Sequence, residues 1–349
     1  MQTYSLLFAR KCLILQQIKG ITIMKIKEFE IENLYGKYSF KSLLDEKVNI
    51  IVGNNGTFKT TLLRIINGIS SFVLPKDFFY IVSAEIKENN NLSVKYNEYH
   101  TTVSELGEKA KENHVLKQMY EKVLSDIQAI KQKNNITVNY NILTAFQNGK
   151  EIEDDDYSKQ VKVNFISTFD IKGDGNDKEI SLLDSLLDKL QSDYGYYLSD
   201  LMKELTEHIS SSSSITKAEL DKINERKNLF INLVNESFAE TGKQLNSDSA
   251  KLKFDKDDEI IEAKNLSSGE KQLLIILLTV LLERGQEYIL ILDEPEISMH
   301  ISWQYKLIDM ILQLNPNVQI ILTTHSPMIF ADGWGDKAIY MDKITKTGK

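Results

Sequence analysis

The chain of 349 residues has a single cysteine, Cys12, and no excess of positive charge. Its 42 Lys and Arg stand against 50 Asp and Glu, a formal net charge of −8. One cysteine excludes a disulfide framework and fits a reducing compartment. Cys12 reads as inert rather than reactive. The acidic balance argues against a broad basic surface for nucleic acid, although a local basic stripe would vanish in such a sum. Long hydrophobic runs are missing too. Leu273–Leu282, the longest, is about half of the roughly 20 residues a bilayer requires. It reads as a buried helix behind a Ser-Ser-Gly turn, so no membrane partner and a cytoplasmic location are expected. Met1–Thr22 carries Arg10, Lys11 and Lys19 among short apolar stretches, which makes a poor signal peptide.

What is present begins at Met24. Residues Met24–Leu34 alternate apolar and polar side chains as a first strand would. A purine-rich ribosome-binding sequence can be spelled by codons for Lys19-Gly20, so translation is expected to start at Met24 with 1–23 as an extension, the alternative being a genuine N-terminal arm. Val48–Val52 reads as a buried strand, Thr60–Ile69 as a helix, and Phe78–Lys87 with Leu92–Tyr99 as a hairpin. Helix is expected over Ser104–Asn134, strands at Ile136–Leu143 and Val161–Ile166, and an acidic surface loop over Gly149–Tyr157. From Ser181 to about Glu240 the chain reads as helical, broken at the serine run Ser210–Ser214. Lys251–Ala263 reads as a hairpin. Tyr288–Leu292 and Gln319–Thr323 have the almost uniformly apolar character of parallel strands covered on both faces, and a last strand is expected to include Lys337–Met341.

Four short motifs carry the chemistry. Gly53-Asn54-Asn55-Gly56-Thr57-Phe58-Lys59-Thr60-Thr61 joins a strand to a helix, where backbone amides cradle phosphate oxygens and Lys59 reaches the β- and γ-phosphates of ATP. Thr60 offers a hydroxyl to Mg²⁺. Asp293 and Glu294 follow an apolar strand; Asp293 is placed to hold Mg²⁺ and Glu294 to deprotonate the attacking water. His325, after the next apolar strand, is placed to sense the γ-phosphate and hold the geometry of water and Glu294. Leu266-Ser267-Ser268-Gly269-Glu270-Lys271-Gln272 opens a helix with small residues, a second turn suited to phosphate. One chain already has a phosphate loop, so the second turn makes sense in another copy, with two sites formed head to tail around ATP. His300 is read as structural or near that seam. Phe58 stands where a glycine is expected, and its backbone needs an accessible φ.

In this order the motifs resemble the ABC-type ATPases, specifically the soluble branch with RecF-, SMC- and OLD-like proteins. Asp293-Glu294-Pro295-Glu296-Ile297-Ser298-Met299-His300 with Thr324-His325-Ser326-Pro327 is similar to the bacterial AAA-domain group of that branch. The resemblance implies an α/β fold: an ABC-type P-loop core with a mixed central sheet, an N-terminal antiparallel β region and an inserted helical lid. The ATPase domain would span 24–349, with its core in about 24–90, 160–180 and 250–349, and the insertion in 91–250. It implies that Lys59, Thr60, Ser267, Asp293, Glu294 and His325 hold the roles above. It also implies an ATP-dependent homodimer, with higher oligomers left open, and a separate effector such as a nuclease or toxin in anti-phage defence. A DNA-repair or chromosome-associated ATPase, and more weakly a transporter subunit or a scaffold with little turnover, are the alternatives; contact with DNA is left open. No nuclease domain is expected in this chain. Phe165-Ile166-Ser167-Thr168-Phe169-Asp170 occupies the place of the family's glutamine loop without a glutamine, and Ser268 replaces a second glycine.

Overall fold

The structure is a computed structural model that describes residues 25–73, 83–88, 92–102, 137–167, 182–211, 216–247 and 251–348, with scattered positions between 106 and 121 and Ser249. The strands are β1 (Ile26–Leu34), β2 (Tyr38–Leu43), β3 (Val48–Val52), β4 (Ser83–Glu88), β5 (Leu92–Thr102), β6 (Thr137–Gln147), β7 (Lys150–Ile152), β8 (Val163–Ser167), β9 (Gln244–Leu245), β10 (Lys253–Lys256), β11 (Glu259–Glu262), β12 (Tyr288–Asp293), β13 (Val318–Thr324), β14 (Ala338–Tyr340) and β15 (Thr345–Thr347). The helices are α1 (Lys59–Ser70), α2 (Asp154–Gln160), α3 (Leu182–Ser211), α4 (Lys217–Phe238), α5 (Ser268–Leu282), α6 (Ile301–Leu314) and α7 (Met341–Ile344). The chain divides into two compact units.

The first unit takes in residues 44–67 and 159–344. Its five-stranded sheet runs β14-β3-β13-β12-β8, and each neighbouring pair is parallel. Every residue of β12 and β13 is buried, which is why their sequences are near-continuous apolar runs rather than alternating ones. α5 is apolar all round because it is enclosed all round: Leu273–Leu278 are fully buried. α3, α4 and α6 pack on it, and the core joins Leu187, Tyr194 and Phe230 to the strand residues Leu290, Leu292 and Ile320. α4 starts with a capping box between Thr216 and Glu219. Before α5, β9, β10 and β11 form a small antiparallel sheet that includes the expected hairpin.

The second unit takes in residues 26–43, 68–158 and 345–349. Its seven strands run β15-β2-β1-β4-β5-β6-β7 with antiparallel pairing. β1 buries Ile26, Phe29, Ile31 and Leu34, the one-faced pattern of an antiparallel sheet. Parallel and antiparallel pairings therefore lie in separate sheets.

Two local expectations differ from the structure. The acidic stretch is not a loop: after β7, Asp154–Asp156 form the first turn of α2, where the positive end of the helix dipole favours acids, and Tyr157 anchors that helix in the core. The strand expected at Lys337–Met341 is shorter and is not the last, since Met341 already opens α7 and β15 follows it. The expected extension 1–23, most of the helix expected over 104–134, the serine run beyond Ser211, and Thr168–Asp170 lie outside the described residues. Among the described residues no helix is long and apolar enough to cross a membrane.

Candidate functional site

The turn between β3 and α1 is built by two glycines for two different reasons. A Cβ on Gly53 would stand 2.7 Å from the Thr57 hydroxyl and 3.0 Å from Met341, so space requires glycine there. Gly56 has open space but a φ of +77°, so conformation requires it. Phe58 adopts a φ of 66°, in the left-handed region that costs an ordinary L-residue about 1–2 kcal/mol. The turn thus keeps a glycine-like backbone without the glycine.

Lys59 follows at the first position of α1 and is almost wholly buried. Its ammonium donates to the carbonyls of Gly53 at 3.0 Å and Asn54 at 3.2 Å, which folds the side chain back over the turn. It also lies 2.6 Å from Nε2 of His325 and 4.0 Å from Glu294 Oε1. Burial lowers its pKa below the usual lysine value, against the opposing pull of Glu294, Asp293 and Glu296. The first amides of α1, as of any helix, have no partner within the helix and are offered to an anion.

The other side of the site comes from the ends of parallel strands. Asp293 on β12 is in register with Thr323 on β13 and with Ser167 on β8. The fully buried Asp293 accepts at Oδ1 from Thr60 at 3.0 Å and from Thr323 at 2.8 Å. Glu294 leaves the strand at a φ of 49°, and its amide donates to Thr323 at 3.1 Å. Its Oε1 lies 3.2 Å from His325 Nε2. Burial raises the Glu294 pKa; His325 and Lys59 oppose this, while Asp293 and Glu296 add to it. Lys59, Thr60, Asp293, Glu294 and His325 are therefore joined by direct contacts. Thr323 and Glu296 belong to the same network, and the sequence motifs include both without giving either a role. The polar pair Thr323-Thr324 at the end of an otherwise apolar strand is the signal that pointed to it.

Ser267 to Glu270 form a second cluster at the start of α5. Ser267 is the N-cap: its hydroxyl accepts from the Glu270 amide at 3.3 Å and donates to Glu270 Oε2 at 2.9 Å. The buried Glu270 also accepts from Lys243 at 2.6 Å and Thr241 at 3.0 Å. Burial raises its pKa, but hydrogen bonds from Lys243, Ser267 and Thr241 outweigh this and hold it below the ordinary carboxylate value. A Cβ on Gly269 would stand 2.1 Å from the Ser298 carbonyl oxygen, so this glycine is required by packing within the chain. Ser268 opens the first turn of α5. His300 caps α6, its Nδ1 accepting from the Ser302 amide.

The residues fit Mg²⁺: a hydroxyl and a carboxylate from two elements converge at 3.0 Å beside the phosphate-type turn, and Mg²⁺ in such sites takes one or two protein oxygens together with phosphate.

Residues 48–331 match the family described as "AAA domain, putative AbiEii toxin, Type IV TA system". Among solved structures the chain is similar to the SMC head domain from Thermotoga maritima, at 13% identity over 88% of this chain and 91% of that one, with a TM-score of 0.45. It is also similar to the Smc head domain with an extended coiled coil bound to the C-terminal domain of ScpA, derived from Pyrococcus furiosus, at 11% identity over 93% and 96% with a TM-score of 0.45. The recombination mediator protein RecF matches at 13% identity over 88% and 94%, with a TM-score of 0.41. The family match takes in the phosphate turn, the Asp293–Glu294 pair, the turn at Ser267 and His325, and by its extent the chain belongs to this AAA-domain family of P-loop ATPase type.

Proposed function

We propose that the chain binds ATP and hydrolyses it to ADP and phosphate, and that two copies close head to tail around the nucleotide. The observation that carries the first part is the convergence of Lys59, Thr60, Asp293, Glu294 and His325 at the ends of adjacent parallel strands. The amides of the turn and Lys59 bind the β- and γ-phosphates. Thr60 and Asp293 would hold Mg²⁺, which supplies neutralisation of phosphate charge when bound. Glu294 takes the proton of a water as its oxygen bonds to the γ-phosphorus and the bond to the ADP oxygen breaks. The raised pKa of Glu294 makes it a stronger base than an exposed carboxylate. His325 stands against both Lys59 and Glu294 and packs that carboxylate in place.

The second phosphate turn supports the pairing of copies. The Ser267 hydroxyl is engaged with Glu270, so phosphate from the other copy would meet the backbone amides at the start of α5 rather than that hydroxyl. The family description names a toxin and a toxin–antitoxin system; beyond those words, we read the chain as controlling a separate effector in bacterial defence. A DNA-directed ATPase is the competing role, and DNA ends that accelerate turnover would favour it.

Phosphate release by the wild type, Glu294→Gln and Lys59→Met tests the chemistry. The wild type turns over, and Glu294→Gln slows it by about 10²–10⁴-fold, the usual contribution of a general base. A wild type that neither binds ATP nor releases phosphate contradicts the assignment.

A further inference from the structure

Glu296 lies two residues beyond Glu294 and is nine-tenths buried. One of its oxygens, Oε1, gathers three donors from the segment that carries His325. The Thr324 hydroxyl donates at 2.6 Å, the His325 amide at 2.7 Å and the Ser326 amide at 3.2 Å. Three donors on one carboxylate oxygen are a strong, charge-assisted arrangement. They come from 28 to 30 residues further along the chain, so their purpose is tertiary. They fix the backbone of His325 to the loop that begins at Glu294.

The same two segments are tied a second time. The Ser326 hydroxyl donates to Gln304 Oε1 at 2.7 Å, and Gln304 donates onward to the Met299 carbonyl at 3.0 Å. Loop 294–299 itself turns through two left-handed residues, Glu294 at 49° and Ser298 at 65°, and hydrogen bonds from Ile297 to Glu294 and from Met299 to Glu296 close it. The Ser298 carbonyl of this loop is the atom that Gly269 packs against.

We infer that Glu296 is a positioning residue: through the His325 and Ser326 amides and the Thr324 hydroxyl it sets the 3.2 Å approach of His325 to Glu294. Its Oε1 hydrogen bonds are made to the Thr324–Ser326 segment, so it acts through His325. The inference rests on the proposed ATPase chemistry for its kinetic consequence, but its geometric content is independent of turnover.

Two substitutions separate reach from charge. Glu296→Gln keeps an acceptor oxygen at the same length and loses the charge. Glu296→Asp keeps the charge and retracts it by one methylene. Each is assayed for nucleotide affinity with a fluorescent ATP analogue, for steady-state kcat and KM, and for the His325 amide by proton–nitrogen NMR. The expected result is that Glu296→Asp lowers kcat at least tenfold with nucleotide affinity within threefold of wild type, and moves the His325 amide upfield as its hydrogen bond is lost. Glu296→Gln restores most of kcat and most of the amide shift. Wild-type kcat and an unmoved His325 amide in Glu296→Asp overturn the inference, as does a Gln variant no better than Asp in both readouts. If the wild type shows no turnover, the ATPase reading fails by that result, and the His325 amide still decides whether Glu296 holds it.

Discussion

Lys59 Nζ stands 2.6 Å from Nε2 of His325. An ammonium has three donors and no acceptor, so Nε2 must present its lone pair, and the neutral imidazole then carries its proton on Nδ1. Replacing Lys59 with Met removes that donor and frees Nε2 to carry the proton and donate to Glu294 Oε1. The ring-nitrogen shifts of His325 should exchange character in the variant. ATP affinity should fall about ten- to a hundredfold, the worth of one charge-assisted hydrogen bond of roughly 1.5–3 kcal/mol. Unchanged ring shifts would show that Lys59 does not set the tautomer.

Phe58 holds a φ of 66°. Glycine relieves that backbone cost and alanine does not, while both remove the ring. Phe58→Gly should therefore be more stable than Phe58→Ala by about 1 kcal/mol, read as a higher midpoint in urea. The reverse order would mean that the turn relaxes to a negative φ in solution.

Gly269 leaves no room for a side chain against the Ser298 carbonyl. Gly269→Ala should cost about 1–3 kcal/mol of stability, as overpacking does. It should also lower turnover by pushing the 294–299 loop. Unaltered stability and rate in thermal and phosphate-release assays would show that the contact gives way without consequence.

Glu88 is a buried acid of the second unit, its pKa pushed up to about 8 by burial against the lowering effect of its hydrogen bond with Tyr157. The Tyr157 hydroxyl lies 2.7 Å from Glu88 Oε1 and 3.2 Å from the Ser70 carbonyl. One phenolic proton cannot serve both oxygens, so a neutral Glu88 supplies the second. The folded pKa lies above the unfolded value, so the folded state holds an extra proton between about pH 4.5 and 8. This contribution to stability is full below the lower value and is lost as pH rises through the upper one. Glu88→Gln removes the titration. Its melting temperature relative to wild type should climb from about pH 5 to 8 and then level. A difference that stays flat over that range would contradict a neutral Glu88.

Much of this was legible in the sequence. Val48–Val52, Tyr288–Leu292 and Gln319–Thr323 announce themselves because a parallel strand buried on both faces carries mostly apolar side chains without alternation. Asp293, Glu294 and His325 sit at strand ends and Lys59 and Thr60 at a helix start, in the order the sequence places them, and the structure brings them together. The acids at Asp154–Asp156 were read as a loop because a short helix anchored by Tyr157 alone shows no apolar stripe. Gly269 was read as room for phosphate, and the Ser298 carbonyl gives it a packing reason besides that the sequence did not show. The grip of Glu296 on Thr324–Ser326 was not legible, since its donors belong to another strand end and only folding brings them together.

The pairing of two copies around ATP is tested most directly by the molar mass of Glu294→Gln in solution, measured by light scattering with and without ATP and Mg²⁺. The substitution keeps the phosphate-binding turn and removes the carboxylate that activates water, so bound ATP persists. The mass should double only when ATP and Mg²⁺ are both present. A mass that stays constant while nucleotide binding is demonstrated would contradict ATP as the link between copies.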